Sequence, residues 1–390
     1  MYNNESSAGV TVIDDFKDDC VPNLQLFLPF KFIFVGLLGA TIALCSIFHN
    51  LLLIHTFQTS STLRKRRLTY LKSVCLCDIL TSVSYLWIMS GQIYAEYFEW
   101  EWLFGAWHYV LNFTFTISNV NICTGSFLLV AATLERYLQS VPRERCAKMA
   151  KTMAKNRSCG VAMAVLLAVI FRGSIFFEIE IFYRKCTGLA AMGVKLSDLA
   201  LEPGYNTVWR FWIRRLVTIF LPFFIMAWCN AMIVLSTQKK EKGTFLRALI
   251  WFNADGKPVT PSAPRSRVRA ATRMLIAAVT LYLCANFLDV FISTWEYIDA
   301  SSLQQLDGFY TIATDVSSLL SVVAAAARLP VYMMTDRFIR EEIQERVWPP
   351  RTELETDKDG LNWLSRRTLG WLDHVRHWSE LNEKQQVIIV

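Results

Sequence analysis

Long apolar stretches alternate with shorter polar ones along most of this chain. A helix that crosses a bilayer needs about 20 mostly apolar residues, and seven stretches reach that length. They lie near residues 30–57, 69–95, 106–134, 159–183, 207–236, 270–298 and 308–334. A helix satisfies all of its backbone hydrogen bonds within one segment, as the bilayer interior requires. The pattern therefore predicts an all-α membrane protein, a seven-transmembrane helix bundle.

The charges between these stretches predict an orientation. Lysine and arginine crowd the connections at 64–67, 143–157 and 239–273, whereas Asp and Glu dominate the first 29 residues and most of the other connections. Because Lys and Arg favour the cytoplasmic side, we expect an extracellular amino terminus at 1–29, a seven-transmembrane domain at 30–340 and a cytoplasmic tail at 341–390. Asn4 begins an Asn-Glu-Ser sequon on the outer side and is a candidate glycosylation site.

Composition supports the membrane class and excludes others. Of 390 residues, 53% are hydrophobic and 19% are charged, whereas soluble domains carry about a quarter charged residues. The net charge of +7 comes mostly from the basic connections, so we expect no nucleic-acid partner. An intramembrane metal hydrolase would need clustered histidines and carboxylates, whereas the five histidines here are scattered. We expect no metal and no cofactor, and we do not expect an enzyme. Among the cysteines, Cys20 and Cys186 lie on the outer side, where an oxidising environment permits a disulfide.

Two ionisable residues are notable because charge is costly within a bilayer. Asp78 lies in the middle of the second stretch. Asp78 either makes a single polar contact with Asn50 or Ser318, or it has a functional role. Arg136 belongs to a Glu-Arg-Tyr triplet where the third stretch meets a basic connection. It either anchors the helix at the lipid headgroups or has a functional role.

Seven stretches with Glu135-Arg136-Tyr137 closing the third resemble a rhodopsin-class G-protein-coupled receptor, over about residues 30–345. Tyr332 is similar to the closing tyrosine of that class, and a short amphipathic helix is expected beyond it, from 336 to 340. The resemblance implies that Glu135, Arg136 and Tyr137 couple to a heterotrimeric G protein. It also implies an activation network within the bundle, formed by Asn50, Asp78, Pro222, Arg328 and Tyr332.

Shorter stretches are similar to the FMRFamide-type neuropeptide receptors of invertebrates. They are residues 174–178, 270–275, 283–286 and 315–320. This resemblance implies a multi-pass receptor of the cell membrane that transmits the signal of an extracellular, FMRFamide-like neuropeptide to a G protein.

One departure from the receptor class concerns its cysteines. The class keeps a cysteine at the outer end of the third span, near Leu111 in this chain, and none lies there. Cys186 is therefore either free or paired with Cys20.

Other departures concern the charged residues. Arg328 stands where the class has an asparagine in its seventh span, and a buried arginine needs an acidic partner. Asp78 is the natural candidate for that partner. Residues 265–273 contain no acid, so Glu135 is the expected resting partner of Arg136.

Several ligand classes can be excluded. Ser118 occupies the position at which receptors for biogenic amines carry a carboxylate, and 308–334 contains no lysine for a retinal Schiff base. A peptide or a small apolar molecule remains. Acidic and aromatic residues together suit a cationic, aromatic peptide end such as Arg-Phe-amide. The candidate contacts on the outer side are Glu96, Trp102, Trp107, Ser118, Trp295 and Glu296.

Alternatives stay open at this point. The outer aromatic residues are also typical of the interfacial belt of any membrane protein. A chemosensory receptor for a small molecule is the main alternative function. A transporter is the alternative of a different class, and it would usually show internal repeats or broken helices.

Overall fold

The structure is a computed structural model that describes residues 20, 24–65, 68–141, 143–236, 263–298 and 307–347. Within these residues, seven helices are long and apolar enough to cross a membrane. They are span 1 (Leu28–Thr59), span 2 (Thr69–Tyr97), span 3 (Glu101–Ser140), span 4 (Arg157–Phe177), span 5 (Tyr205–Ser236), span 6 (Arg273–Trp295) and span 7 (Gly308–Thr335). The predicted all-α seven-helix bundle is confirmed, and the chain is a multi-pass membrane protein.

Shorter helices connect or extend these spans. They are Ser61–Lys65, Glu144–Lys155, Asp198–Leu201 and Arg337–Val347, while span 6 lies within the longer helix Ala263–Ile298 and span 7 within Asp307–Thr335. Span 3 is longer than predicted, and it ends where Val141 becomes extended. Pro142 follows Val141 in the sequence, and a residue before proline disfavours the helical conformation.

Span 4 ends earlier than the sequence predicted. The helix stops at Phe177, and the apolar run that follows forms strand β1, Ile179–Tyr183. β1 pairs antiparallel with β2, Met192–Leu196, with Ile181 opposite Val194. The predicted fourth stretch, 159–183, is therefore wrong at its end, because its last five residues belong to a hairpin.

The bundle interior is formed by apolar side chains from five spans. One cluster joins Val74 of span 2, Leu128 of span 3, Ala164 of span 4, Met226 of span 5 and Val279 of span 6. Other apolar residues point away from the bundle, and lipid can cover them at no cost. Examples of these outward residues are Ile33, Phe48, Leu166, Trp228 and Phe287.

Two glycines permit close packing of the spans. A Cβ atom at Gly160 of span 4 would lie 2.5 Å from the Tyr70 hydroxyl of span 2. A Cβ atom at Gly39 of span 1 would overlap the Tyr85 hydroxyl of span 2. Small residues allow this approach of helices within membranes.

Spans 1 and 7 are adjacent and share polar contacts. Lys31 Nζ lies 3.0 Å from Asp315 Oδ2, and both side chains are buried. Asn50 Nδ2 donates to the Ala325 carbonyl at 3.1 Å. These contacts satisfy groups that would otherwise be costly within the bundle.

Pro222 follows a widened helical turn in span 5. Residues Leu216–Phe220 form a π-helical segment. Proline has no N–H group, and its ring crowds the carbonyl four residues earlier, so a wider turn accommodates it.

The predicted short amphipathic helix is present as Arg337–Val347. All of this helix after its first residue belongs to a second compact unit, which begins at Phe338. Within this unit, Arg346 Nη2 lies 2.7 Å from Glu342 Oε1, one turn away.

Candidate functional site

Polar and charged side chains gather at both ends of the bundle. The hairpin end is the end that carries β1, β2 and Cys186. The Arg136 end is the opposite end of span 3. A third polar group lies between spans 2 and 7, in the interior.

A disulfide joins Cys20 to Cys186 at the hairpin end, with their Cα atoms 5.6 Å apart. The sequence left Cys186 either free or paired with Cys20, and the structure forms the pair. The disulfide ties the segment before span 1 to the connection between β1 and β2.

The hairpin is fixed against spans 3 and 4 by hydrogen bonds. Asn112 Nδ2 of span 3 donates to the Ile179 carbonyl at 2.9 Å. Beyond β2, the Ser197 hydroxyl donates to the Phe177 carbonyl at 2.6 Å, and the Ser197 amide donates to the Glu178 carbonyl at 3.0 Å. These bonds hold the strands over the end of span 4.

Glu178, immediately after span 4, is the centre of a charged cluster. Its side chain is 5% exposed and forms an ion pair with Arg214 of span 5. Arg214 Nη2 donates to Oε2 at 2.9 Å, the Tyr205 hydroxyl donates to Oε1 at 2.8 Å, and the Ser174 hydroxyl donates to Oε1 at 3.2 Å. Burial alone would raise the pKa of Glu178, but the bonds from Arg214 and Tyr205 hold this pKa below its ordinary value of 4.5.

Arg210 lies one turn before Arg214 and is less firmly held. Its Nε lies 3.7 Å from Glu178 Oε2, and its side chain is 31% exposed, against 8% for Arg214. Its Nη1 lies 3.5 Å from Asn206 Oδ1. Since Arg214 already occupies both oxygens of Glu178, Arg210 keeps donors that can bind another group.

Arg172 of span 4 has neutral hydrogen-bond partners. Its Nη2 donates to the Thr218 hydroxyl at 2.7 Å, and its Nη1 lies 3.3 Å from Asn119 Oδ1. Its Nε is buried and makes no hydrogen bond to the residues the structure describes. The guanidinium therefore meets hydroxyl and amide oxygens from spans 3 and 5.

These arginines line a cavity of about 420 Å³ at the hairpin end. We call it the basic cavity. Its charged lining is Arg172, Glu178, Lys195, Arg210 and Arg214, and the remainder is Phe115, Asn119, Ile175, Ile179, Val194 and Leu196.

A smaller cavity of about 40 Å³ is also lined by Arg172. Asn119 and Arg172 line both cavities. The smaller cavity also meets Ser126 and Tyr282, whose hydroxyls lie 2.7 Å apart and join spans 3 and 6. The polar groups therefore continue from the basic cavity into the interior of the bundle.

Two of the predicted ligand contacts take part in the packing of the protein. The Glu96 side chain accepts from the Gln25 amide and from Gln92 Nε2, both at 2.8 Å. Trp107 is 6% exposed and donates through Nε1 to the Ile88 carbonyl at 3.1 Å. Their polar atoms are occupied by neighbouring residues.

The other predicted contacts lie apart from the basic cavity. Trp102 is 70% exposed and stacks near Trp100, with the ring centroids 6.2 Å apart. Trp295 packs 5.8 Å from Phe309, and Ser118 is buried in span 3. The side chain of Glu296 and the whole of Asn4 lie outside the described residues.

Asp78 and Arg328 form the predicted ion pair between spans 2 and 7, with side chains 11% and 8% exposed. Asn50 of span 1 is fully buried, and its Nδ2 donates to the Ala325 carbonyl of span 7 and to the Ser46 carbonyl of its own helix. Tyr332, one turn after Arg328, is also fully buried. Ser82 of span 2 completes the polar group through a 2.8 Å bond to the hydroxyl of Ser46.

At the Arg136 end, Glu135 pairs with Arg157 of span 4. Arg157 Nε donates to Glu135 Oε2 at 2.9 Å, and Gln139 Nε2 donates to Oε1 at 3.1 Å. Arg136 donates to Gln139 Oε1 at 3.2 Å. The prediction that Glu135 is the resting partner of Arg136 is therefore wrong. Successive residues on a helix do not face each other, and the first residue of span 4 reaches Glu135 instead.

Arg136 and Glu135 line a small cleft between spans 2, 3, 4 and 6. Tyr70 of span 2 and Met274 of span 6 lie on its walls. Tyr137 is half-buried, and its carbonyl accepts from the Ser140 hydroxyl at 2.8 Å.

Sequence reasoning missed Arg172, Arg210 and Arg214. Each lies within a stretch recognised as apolar, near 159–183 or 207–236. An ionisable residue inside a span is a candidate functional residue, and this signal was present in the sequence. The sequence did not reveal the hairpin, which brings these side chains to one cavity with Glu178.

Comparison with models of known protein families gives no match, and neither does comparison with curated proteins.

Proposed function

We propose that this protein is a rhodopsin-class G-protein-coupled receptor of the cell membrane. It binds an extracellular ligand at the hairpin end and activates a heterotrimeric G protein at the Arg136 end. The observation that carries this proposal is the position of span 3 between a ligand-sized cavity and a charged cleft. Asn119 of span 3 lines the basic cavity, and Arg136 lines the cleft. They are roughly 26 Å apart along the helix, at 1.5 Å per residue.

The chemistry of Arg136 supports a role in binding a partner. Its guanidinium donates to a neutral oxygen of Gln139, and Glu135 is taken by Arg157. Arginine presents five donors in a planar fork, so most donors of Arg136 remain for the backbone carbonyls of a bound protein. An arginine that only anchors the helix at the headgroups would be replaceable by lysine, because lysine reaches them too.

The proposed ligand is a neuropeptide, as the resemblance to FMRFamide-type receptors implies. The hairpin end offers exposed aromatic surface for a peptide, including Trp100, Trp102 and Tyr183. A small molecule is the second candidate ligand. It is favoured by the volume of the basic cavity, about 420 Å³, since pockets for small molecules usually span about 300–1,000 Å³.

The test is expression in cells with an amino-terminal tag, followed by a screen of amidated peptides read by calcium and cyclic-AMP reporters. We expect the tag to be accessible on intact cells and at least one peptide to give a signal. Arg136→Lys should keep surface expression and lose most of that signal. Arg145→Lys is the matched control, because Arg145 is exposed in the connecting helix, and it should signal like the parent.

Two results would contradict the proposal. Equal signalling by Arg136→Lys and the parent, at matched surface levels, would assign Arg136 to membrane anchoring. Accumulation of a labelled compound inside cells, without any reporter response, would favour a transporter.

A further inference from the structure

The walls of the basic cavity carry an excess of positive charge. Lys195 of β2 is compensated, because its Nζ lies 3.2 Å from Glu180 Oε2 on β1 and both side chains are about half exposed. Three arginines then remain against the single carboxylate of Glu178. That carboxylate is already bound by Arg214. The charge of the other two arginines is therefore not matched within the wall of the cavity.

Of these two arginines, Arg172 has the greater need of a countercharge. Its hydrogen bonds go to the neutral side chains of Asn119 and Thr218. Asp289, which lines the smaller cavity with it, is one nearby countercharge, but Arg214 and Arg215 act on Arg172 as like charges. Arg172 is half-buried, and a charge partly removed from water is costly unless a countercharge and hydrogen bonds compensate it. Its buried Nε is one more donor with no acceptor among the described residues. The site therefore favours an anion.

Arg210 supplies a second donor group at the same cavity. It is partly exposed, and its distance of 3.7 Å to Glu178 is long for a direct hydrogen bond. Its side chain can therefore turn to another acceptor without breaking a strong contact. Guanidinium groups bind carboxylates with two parallel hydrogen bonds.

The rest of the lining is mostly apolar. Phe115, Ile175, Ile179, Val194 and Leu196 surround the charged groups. An anionic group alone would leave these side chains without a partner. A molecule that joins a carboxylate to an apolar body matches both parts of the wall.

We propose that the basic cavity binds a carboxylate attached to an apolar body, with the carboxylate between Arg172 and Arg210. The carboxylate comes either from a small organic acid or from the end of a peptide. That this molecule is the receptor's ligand rests on the proposed receptor function. Its binding to the cavity can be measured without any signalling. An Arg-Phe-amide end carries no carboxylate and would bring positive charge to this wall. The proposal therefore favours the small-molecule ligand, or a peptide with a free carboxyl end, over an amidated peptide.

The test uses the detergent-purified full chain and follows its thermal unfolding temperature. The probes are two pairs, each an acid with its neutral amide, at about 10 mM. The first pair is 3-phenylpropionate with 3-phenylpropionamide, and the second is N-acetyl-Gly-Phe with its carboxamide. Sodium chloride equalises the ionic strength. A ligand that binds the folded protein raises its unfolding temperature by mass action, and we expect an acid to raise it by about 2 °C or more over its amide. If the acid exceeds its amide in the first pair alone, the ligand is a small acid. If it does so in the second pair alone, the ligand is the carboxyl end of a peptide.

Variants place the site. Arg210→Gln should remove most of the difference between acid and amide, and Arg172→Gln should do the same. Arg172→Lys should keep part of this difference, and it replaces Arg172→Gln in the test if the glutamine variant does not fold. Lys185→Gln is the control, because Lys185 is exposed at the hairpin end and carries the same charge. Equal shifts for acids and amides, no shift for either, or a full shift in Arg210→Gln would overturn the proposal. None of these results would bear on coupling to a G protein.

Discussion

Removing either member of the Asp78–Arg328 pair should destabilise the bundle strongly. Both side chains are nearly buried, at 11% and 8% exposed, so the charge left behind cannot reach water. Loss of one partner of a buried pair costs about 3–5 kcal/mol. Since each 1.4 kcal/mol is a tenfold change in an equilibrium constant, Asp78→Ala and Arg328→Ala should each raise the ratio of unfolded to folded protein roughly 100- to 4,000-fold.

The double variant separates an ion pair from two independent losses. Asp78→Ala with Arg328→Ala leaves no lone charge, so its cost should be less than the sum of the single costs, by about 0.5–3 kcal/mol or more. An apolar pair, Asp78→Leu with Arg328→Met, should recover most of the stability, because apolar replacement of a buried pair is often neutral. Additive losses in the double alanine variant would refute the pairing.

Buried thiols provide the assay. Cys75, Cys77, Cys123 and Cys229 are buried, whereas Cys45, Cys159 and Cys284 are exposed. After the accessible thiols are blocked in the folded protein, a thiol-reactive fluorophore labels the buried ones only as the protein unfolds on heating. The control is Lys148→Ala in the exposed pair Lys148–Glu144, whose side chains are 76% and 84% exposed. Exposed pairs contribute little to stability, and this variant should unfold at the temperature of the parent.

Three further predictions are measured by the temperature at which the helical circular-dichroism signal is lost, because a thiol label needs the thiolate and is consumed by reductants. Because the pKa of Glu178 lies below its ordinary value of 4.5, its ion pair stabilises the protein fully above about pH 4.5, and this stability is lost as the pH falls through the lowered pKa. Glu178→Gln should therefore flatten the loss of stability in acid, and an equally steep loss would contradict this reasoning. Arg157→Gln leaves the buried carboxylate of Glu135 without its cation and should lower the unfolding temperature, whereas Lys155→Gln, at an exposed neighbouring position, should not. Cys186→Ser should cost about 2–4 kcal/mol through loss of the disulfide, and addition of a reductant should then have no further effect.

Much of the fold could be predicted because bilayer spans leave a strong signal. Twenty apolar residues in a row admit few alternatives to a transmembrane helix. The Asp78–Arg328 pair could also be predicted, because a charge inside a bundle requires a partner and few acids lie within the spans.

The hairpin could not be separated from span 4 by apolar length alone. Ile179 and Ile181 alternate with Glu180, a period of two that favours a strand, but this signal is short and follows an apolar helix directly. Hydrogen bonds from Asn112 and Ser197 then fix the strand. Such contacts between distant residues are not visible in the sequence.

The charged residues of the basic cavity were missed for a related reason. Arg172 is separated from Arg210 by the hairpin and its connections. Only the folded hairpin brings both to one cavity, so no local spacing indicates the site. The partner of Glu135 was predicted wrongly because the prediction chose its sequence neighbour Arg136. The actual partner, Arg157, lies on span 4.

The length of span 3 has a mechanical consequence. It runs as one α-helix of 40 residues from Glu101 to Ser140, about 60 Å long, and contains no proline. Such a helix moves as a stiff rod. A rotation of about 2° around its midpoint displaces each end by roughly 1 Å, since each half is about 30 Å long. A small tilt imposed near Asn112, where span 3 holds β1 of the hairpin, would therefore reach Arg136 directly, with no need for a chain of side-chain rearrangements between them.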